Sequence, residues 1–155
     1  MNLRKYTSFF IVISLLIIFG FFSLNNITFS NKIGGNQIHF VKIDGQTLKV
    51  DLATTPGAQA QGLSGRKSLA EGEGMLFVFP KPSKYFFWMK NMNFPIDIIW
   101  LDANQKIIYL KKDALPELFP ETYGPEKNSL YVLEVKALFT EKNNSKLGDK
   151  VEFLP

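Results

Sequence analysis

The sequence predicts a mainly β domain, a compact antiparallel β-barrel or sandwich with one or two short helices, preceded by an N-terminal transmembrane or signal helix. Three observations lead there. Short apolar and aromatic runs recur after residue 36, each bounded by turn residues, which is the spacing of an all-β sandwich or small barrel. Asp44-Gly45 sits between two such runs as a hairpin signal, because glycine accepts the positive φ that tight hairpin turns need. An unbroken apolar stretch, FFIVISLLIIFGFF, is confined to the N-terminus behind Arg4 and Lys5.

Taken in order, residues 1–24 form the membrane anchor or signal segment, 25–36 a polar linker ending in Gly34-Gly35, and 37–155 the folded domain. Tyr6 to Leu24 would reach about 28 Å as a helix, close to the thickness of a bilayer core. No Ala-x-Ala cleavage site follows, which favours an uncleaved anchor over a secreted product. The basic residues at the front place the N-terminus in the cytoplasm and the domain outside it.

Within the domain, Gln37 to Ile43 and Thr47 to Thr54 read as the hairpin strands. Thr55-Pro56 reads as a helix N-cap and first position, with the helix running to about Gln61 and ending at Gly62. Gly74 to Phe79 is a strand expected to stop at Pro80. Tyr85 to Lys90 and Ile96 to Asp102 follow, separated by a turn near Asn91 and by Pro95. Lys106 to Lys111 is the next strand. Asp113 to Ser129 is a long irregular segment with three prolines, the kind of loop that often carries function. Tyr131 to Leu138 and Lys150 to Leu154 are the last strands, with a helical turn between Thr140 and Leu147.

Charge and composition exclude several functions. Of 18 basic residues, Arg4, Lys5 and Lys32 precede the domain, leaving 15 basic against 14 acidic, a net charge of +1. A nearly neutral domain offers no electrostatic footprint for nucleic acid. The absence of Cys removes disulfides, thiolate metal sites and a Cys nucleophile. A single histidine, His39, leaves no multi-His metal site within one chain and makes a Ser–His–Asp triad depend on that residue alone. No phosphate-binding or dinucleotide glycine motif and no nucleophile elbow is visible. Neither a metal nor a cofactor is assigned.

The strings GLSGR (Gly62 to Arg66), GMLFVF (Gly74 to Phe79), FWMKNM (Phe87 to Met92), FPIDIIWLD (Phe94 to Asp102), YVLEVKA (Tyr131 to Ala137) and LGDKVEF (Leu147 to Phe153) resemble the family called domain of unknown function 192. The resemblance covers roughly Lys49 to Phe153. It implies a compact, largely β domain in a membrane or exported protein, and it carries no catalytic residues to transfer. This chain departs from the family pattern at Ser64, where Met is usual, and at Leu138, where Gly is usual. The second departure places a side chain where a tight turn or close backbone approach is expected.

The candidate site residues are Trp88, Lys90, Asn91 and Asp97, with Arg66 and Glu134 behind them. If the runs carrying Lys90 and Asp97 form a hairpin, their charges meet beside Trp88 and Trp100, and an aromatic platform with charged partners suits a sugar ring. Trp88 would stack, Asn91 would hydrogen-bond, and Lys90 and Asp97 would make charged contacts. The plainer alternative is a structural ion pair, since an unpaired charge in an apolar strand costs several kcal/mol. Arg66, near Glu73, suits a bidentate clamp on a carboxylate or phosphate, or an ion pair tying down its loop. Alternation along YVLEV puts Val132, Glu134 and Lys136 on one strand face, where Glu134 faces solvent or pairs with Asp97 or Asp149 for acid/base chemistry. Asp97, Asp102, Glu134 and Asp149 lack calcium-loop spacing.

Three functions follow. The first is a membrane-anchored, extracytoplasmic binding or accessory module of the cell envelope, with a glycan or protein ligand. The second is a carboxylate-dependent hydrolase of envelope polysaccharide. The third is a structural partner-binding domain using the Asp113 to Ser129 loop and an open sheet edge. The hydrolase requires two carboxylates in one cleft, roughly 5–9.5 Å apart. The glycan binder requires an exposed Trp face beside polar groups.

Overall fold

The computed structural model describes residues 38–155. The expected membrane or signal helix (1–24) and linker (25–36) lie outside the described residues. Gly34–Pro155 forms a compact unit of its own.

The order is β1 (Phe40–Ile43), β2 (Gln46–Ala53), α1 (Pro56–Gln61), β3 (Glu73–Ser83), β4 (Phe87–Trp88), β5 (Ile96–Leu101), β6 (Ile107–Ala114), a 3₁₀ turn (Pro116–Leu118), β7 (Thr122–Tyr123), β8 (Ser129–Lys136), α2 (Phe139–Lys142) and β9 (Glu152–Leu154). Seven strands make one sheet in the order β6-β5-β8-β3-β2-β1-β9, and β4 and β7 make a separate two-stranded ribbon. The large sheet is antiparallel except where β3 lies parallel to β2. It curls until its edge strands meet at one end, where Val151 N–H donates to Gln105 O at 2.9 Å and Ile107 N–H to Asp149 O at 3.0 Å. The result is a curled half-barrel, mainly β, with two short α-helices.

Local sequence explains the elements that position the site. Asp44 and Gly45 both adopt positive φ, so the first hairpin turns where the Asp-Gly pair demands. Thr55 caps α1 by accepting from Ala58 N–H at 3.2 Å, and Pro56 opens the helix. Strand β3 does not stop at Pro80 as the sequence suggests. Its pairing with β8 is irregular between Val78 and Ser83, so the prolines occupy a stretch where no ladder N–H is required. The predicted strand from Tyr85 to Lys90 shrinks to Phe87–Trp88, and it pairs with β7 rather than with β5.

Both faces of the sheet are covered. Inside the curl pack Val41, Ile43, Leu48, Val50, Leu76, Ile99, Leu101, Leu133, Val135 and Val151. On the opposite face Phe77, Ile98, Trp100 and Val132 are covered by Leu63, Leu69, Met89 and Tyr123. Strand β8 is central and buried on both faces until its last residue. That double burial is why Glu134 does not face solvent, contrary to one sequence expectation.

Candidate aromatic cleft

The site begins with β8. Glu134 stands between Met75 of β3 and Ile98 of β5 in the sheet, on the face that carries Phe77 and Trp100. It is 5 % exposed, and its Oε2 has no hydrogen-bond partner among the described residues. Burial pushes its pKa up to about 8, and the nearby Arg66 guanidinium only partly opposes that rise.

Above this carboxyl lies a cleft of about 320 Å³. Its walls are aromatic: Phe77, Phe79, Tyr85, Phe86, Phe87 and Trp88. The rings hold one another in place. Phe87 meets Phe77 edge-to-face at 4.8 Å, and Phe79 stacks on Tyr85 at 3.5 Å. Trp100 is fully buried behind them and donates from Nε1 to Tyr85 O at 2.8 Å, fixing the chain that presents the rings.

Two glycines make room. Gly62 ends α1 at φ 52, ψ −136, a conformation that suits only glycine. A Cβ there would sit 3.3 Å from the Phe77 ring and 3.8 Å from Glu134 Oε2, in the space over the carboxyl. Gly74 lies against β8, where a Cβ would be 2.8 Å from the backbone oxygen of Glu134. Ala at position 74 would therefore push β8 aside.

The far side of the cleft is a tied pair of loops. Gly65 N–H donates to Asn91 O at 2.9 Å, Ser64 Oγ–H to Lys90 O at 2.8 Å, and Asn93 Nδ2–H to Arg66 O at 2.8 Å. Asn91 adopts positive φ, which lets the chain turn after β4. Trp88 therefore projects from an anchored ribbon, 54 % exposed, with the centre of the Phe119 ring 6.2 Å from that of its own ring and Lys90 Nζ 5.8 Å from its ring centre. A second depression of about 360 Å³ adjoins the first across Trp88, lined also by Gln61, Ser64, Lys90 and Asn91.

The structure thus gathers Trp88, Lys90 and Asn91 at one rim and puts Glu134 beneath it. Arg66 lies outside the aromatic cleft. It pairs with Asp51 at 2.7 Å and lines a small polar pocket with Lys49 and Glu73. Asp97 lies elsewhere. The hairpin that would bring Lys90 and Asp97 together does not form, because β4 joins β7. Asp97 pairs with Val135 and so faces the inside of the curl, on the opposite side of the sheet from Glu134. It is fully buried and accepts from Asp113 N–H (2.8 Å), Leu138 N–H (3.3 Å), Thr140 N–H (2.8 Å) and Thr140 Oγ1–H (2.6 Å). Trp100 is likewise no platform, being buried. Asp102 and Asp149 accept backbone N–H groups in their own turns.

Sequence reasoning assigned no site role to Gly62, Gln61 or the Phe rings of the cleft. The signal was present in Tyr85-Phe86-Phe87-Trp88, four consecutive aromatics that no single buried strand face can absorb.

The described residues thus form a curled half-barrel domain with an aromatic cleft over a buried carboxyl. Its family follows from the sequence match. The chain belongs to the domain of unknown function 192 family, described as an uncharacterized ACR, whose model matches residues 39–153. Two solved structures are similar. One, a protein of unknown function from Novosphingobium aromaticivorans DSM 12444, is 31% identical with a TM-score of 0.71, covering 79% of this chain and 89% of that one. The other, described as a candidate transcription regulator from Sinorhizobium meliloti 1021, is 29% identical with a TM-score of 0.69, covering 74% of this chain and 92% of that one. A comparison with curated proteins gave no match.

Proposed function

We propose that the domain is a non-catalytic binding module of the cell envelope, held outside the cytoplasm by its N-terminal segment, and that it seats a glycan unit at Trp88. The location rests on Arg4 and Lys5 ahead of the apolar run. The observation that carries the binding reading is the exposed Trp88 between two adjoining depressions, one floored by the unpartnered oxygen of Glu134. An aromatic face beside amide, hydroxyl and ammonium groups matches a sugar ring, which offers C–H bonds on one side and hydroxyls at its edge.

The hydrolase reading lacks its second group. Among the described residues Glu134 is the only carboxyl lining the aromatic cleft, and Asp97 is committed to four donors on the other side of the sheet. A regulatory role on nucleic acid, suggested by the Sinorhizobium relative's description, meets a domain of 15 basic and 14 acidic residues.

The test is a glycan array and envelope-extract pull-down with residues 34–155, beside Trp88→Ala. The exposed ring can be removed without opening the core, so the variant should melt with the wild type. Its glycan affinity should fall by about tenfold or more, as expected for a lost aromatic stacking contact. Equal binding by both proteins, or none by either, would remove the glycan reading.

A further inference from the structure

The cleft has a one-sided chemistry. Six aromatic rings line it, and Lys and Arg are absent from its lining among the described residues. Ring faces carry the negative end of the aromatic quadrupole. Among the described residues the carboxyl at the floor is the one acidic side chain in the lining. An anion would find electron-rich walls and, near the floor, an Arg66 guanidinium that is already paired with Asp51. An apolar occupant would leave Glu134 Oε2 without a partner, as it is in the free domain. A quaternary ammonium would gain from the rings but has no N–H to donate. A primary ammonium gains from both, through cation–π contact with the walls and a charge-assisted hydrogen bond at the floor.

Resting on the reading of the cleft as a ligand site, we infer that the group seated on Glu134 is a protonated primary amine of the ligand. The free site holds its carboxyl chiefly as the neutral acid near pH 7, because burial dominates. The charged group acting on it is Arg66, which is itself engaged by Asp51 at 2.7 Å. Tyr85 is the other titratable residue in the lining, and burial raises it further from neutrality. Seating the amine therefore turns a carboxylic acid and a free ammonium into a carboxylate–ammonium pair and releases one proton to solvent. For an amine that stays charged, affinity rises with pH up to about 8 and then levels off.

Two sources supply such an amine, an amino sugar and a lysine side chain. Residues 34–155 should be titrated with two matched pairs, glucosamine against glucose and Nα-acetyl-lysine against its Nε-acetylated form. Calorimetry in buffers of different ionisation enthalpy would count protons, and amide NMR shifts would locate the contacts. The expected result is at least a tenfold preference for the amine in one pair, with shifts at Gly62, Trp88 and Glu134. Up to one proton should be released at pH 7. The pair that shows the preference names the source. Glu134→Gln, which keeps shape but not charge, should erase preference and proton release together. Equal affinity for the amine and its neutral partner would overturn the amine while leaving the cleft as a ligand site. Binding without proton release by the wild type would overturn it whatever the variant does. No binding by any probe, glycans included, would overturn both readings.

Discussion

Asp97 and Glu134 are both buried carboxyl groups on adjacent strands of one sheet, yet they live in opposite circumstances. Asp97 faces the inside of the curl and accepts four hydrogen bonds from three places: β6, the left-handed Leu138 and the start of α2. Helix α2 has no side-chain cap of its own, and Asp97 takes that role from a distant strand. Glu134 faces the aromatic side, where one oxygen has no partner among the described residues. The inner face spends its carboxyl on holding the fold together. The outer face keeps one in reserve beneath an open cleft. A buried polar group without a partner costs a fold stability, and the proposed ligand would supply that partner.

The contrast breaks first at Asp97. Asp97→Asn replaces one acceptor oxygen by an N–H donor aimed at backbone N–H groups. Denaturant unfolding should show a loss of about 3 kcal/mol or more, with α2 and the Asp113 turn losing amide-exchange protection first. An unchanged midpoint would mean that the four bonds contribute little.

Glu134 should respond in the opposite direction. Glu134→Leu removes an orphaned polar group among Met75, Phe77 and Ile98, and should stabilise the domain by about 1–3 kcal/mol. A loss of stability would show that the carboxyl has a structural partner after all.

The pH dependence sharpens the same point. Glu134 binds its proton more tightly in the fold than in the unfolded chain, its pKa moving from 4.5 to about 8. The stability this represents is complete below pH 4.5 and is lost as pH rises toward 8. Wild type should therefore lose stability relative to Glu134→Gln by on the order of 1 kcal/mol per pH unit across that window. Parallel curves for the two proteins would place the carboxyl in contact with water.

The smallest effect belongs to Leu138, whose φ of 70 is the left-handed conformation that a Cβ disfavours. Leu138→Gly should raise stability by up to about 1 kcal/mol, read as a small shift in melting temperature. A decrease would mean that the half-exposed Leu138 side chain contributes packing greater than the strain.

How much of this was legible in the residues alone differs from element to element. The Asp44-Gly45 turn, the Thr55 cap and the end of α1 at Gly62 could all be read directly, because each is set by the conformational limits of one or two residues. The face alternation of β8 was legible from strand geometry, whereas the anomaly at Leu138 came only from the family resemblance, which expects Gly there. The pairing of β4 was not. Two residues flanked by loops can join either neighbour, and the choice of β7 over β5 depends on where the Asp113 to Ser129 segment returns.

The sequence by itself determined a β domain of this family, its turns and helix ends, and the residue types available for a site. Local sterics and hydrophobic periodicity act within a few residues, and a linear reading captures them. Only the tertiary structure decided which carboxyl would be satisfied and which left open. The register of β5 against β8 offsets Asp97 from Glu134 by one residue, and one residue in a strand is the difference between two faces. Curling the sheet then buried one face on itself and left the other to be covered by α1, its following loop and the aromatic ribbon. The cleft lies where that cover is incomplete.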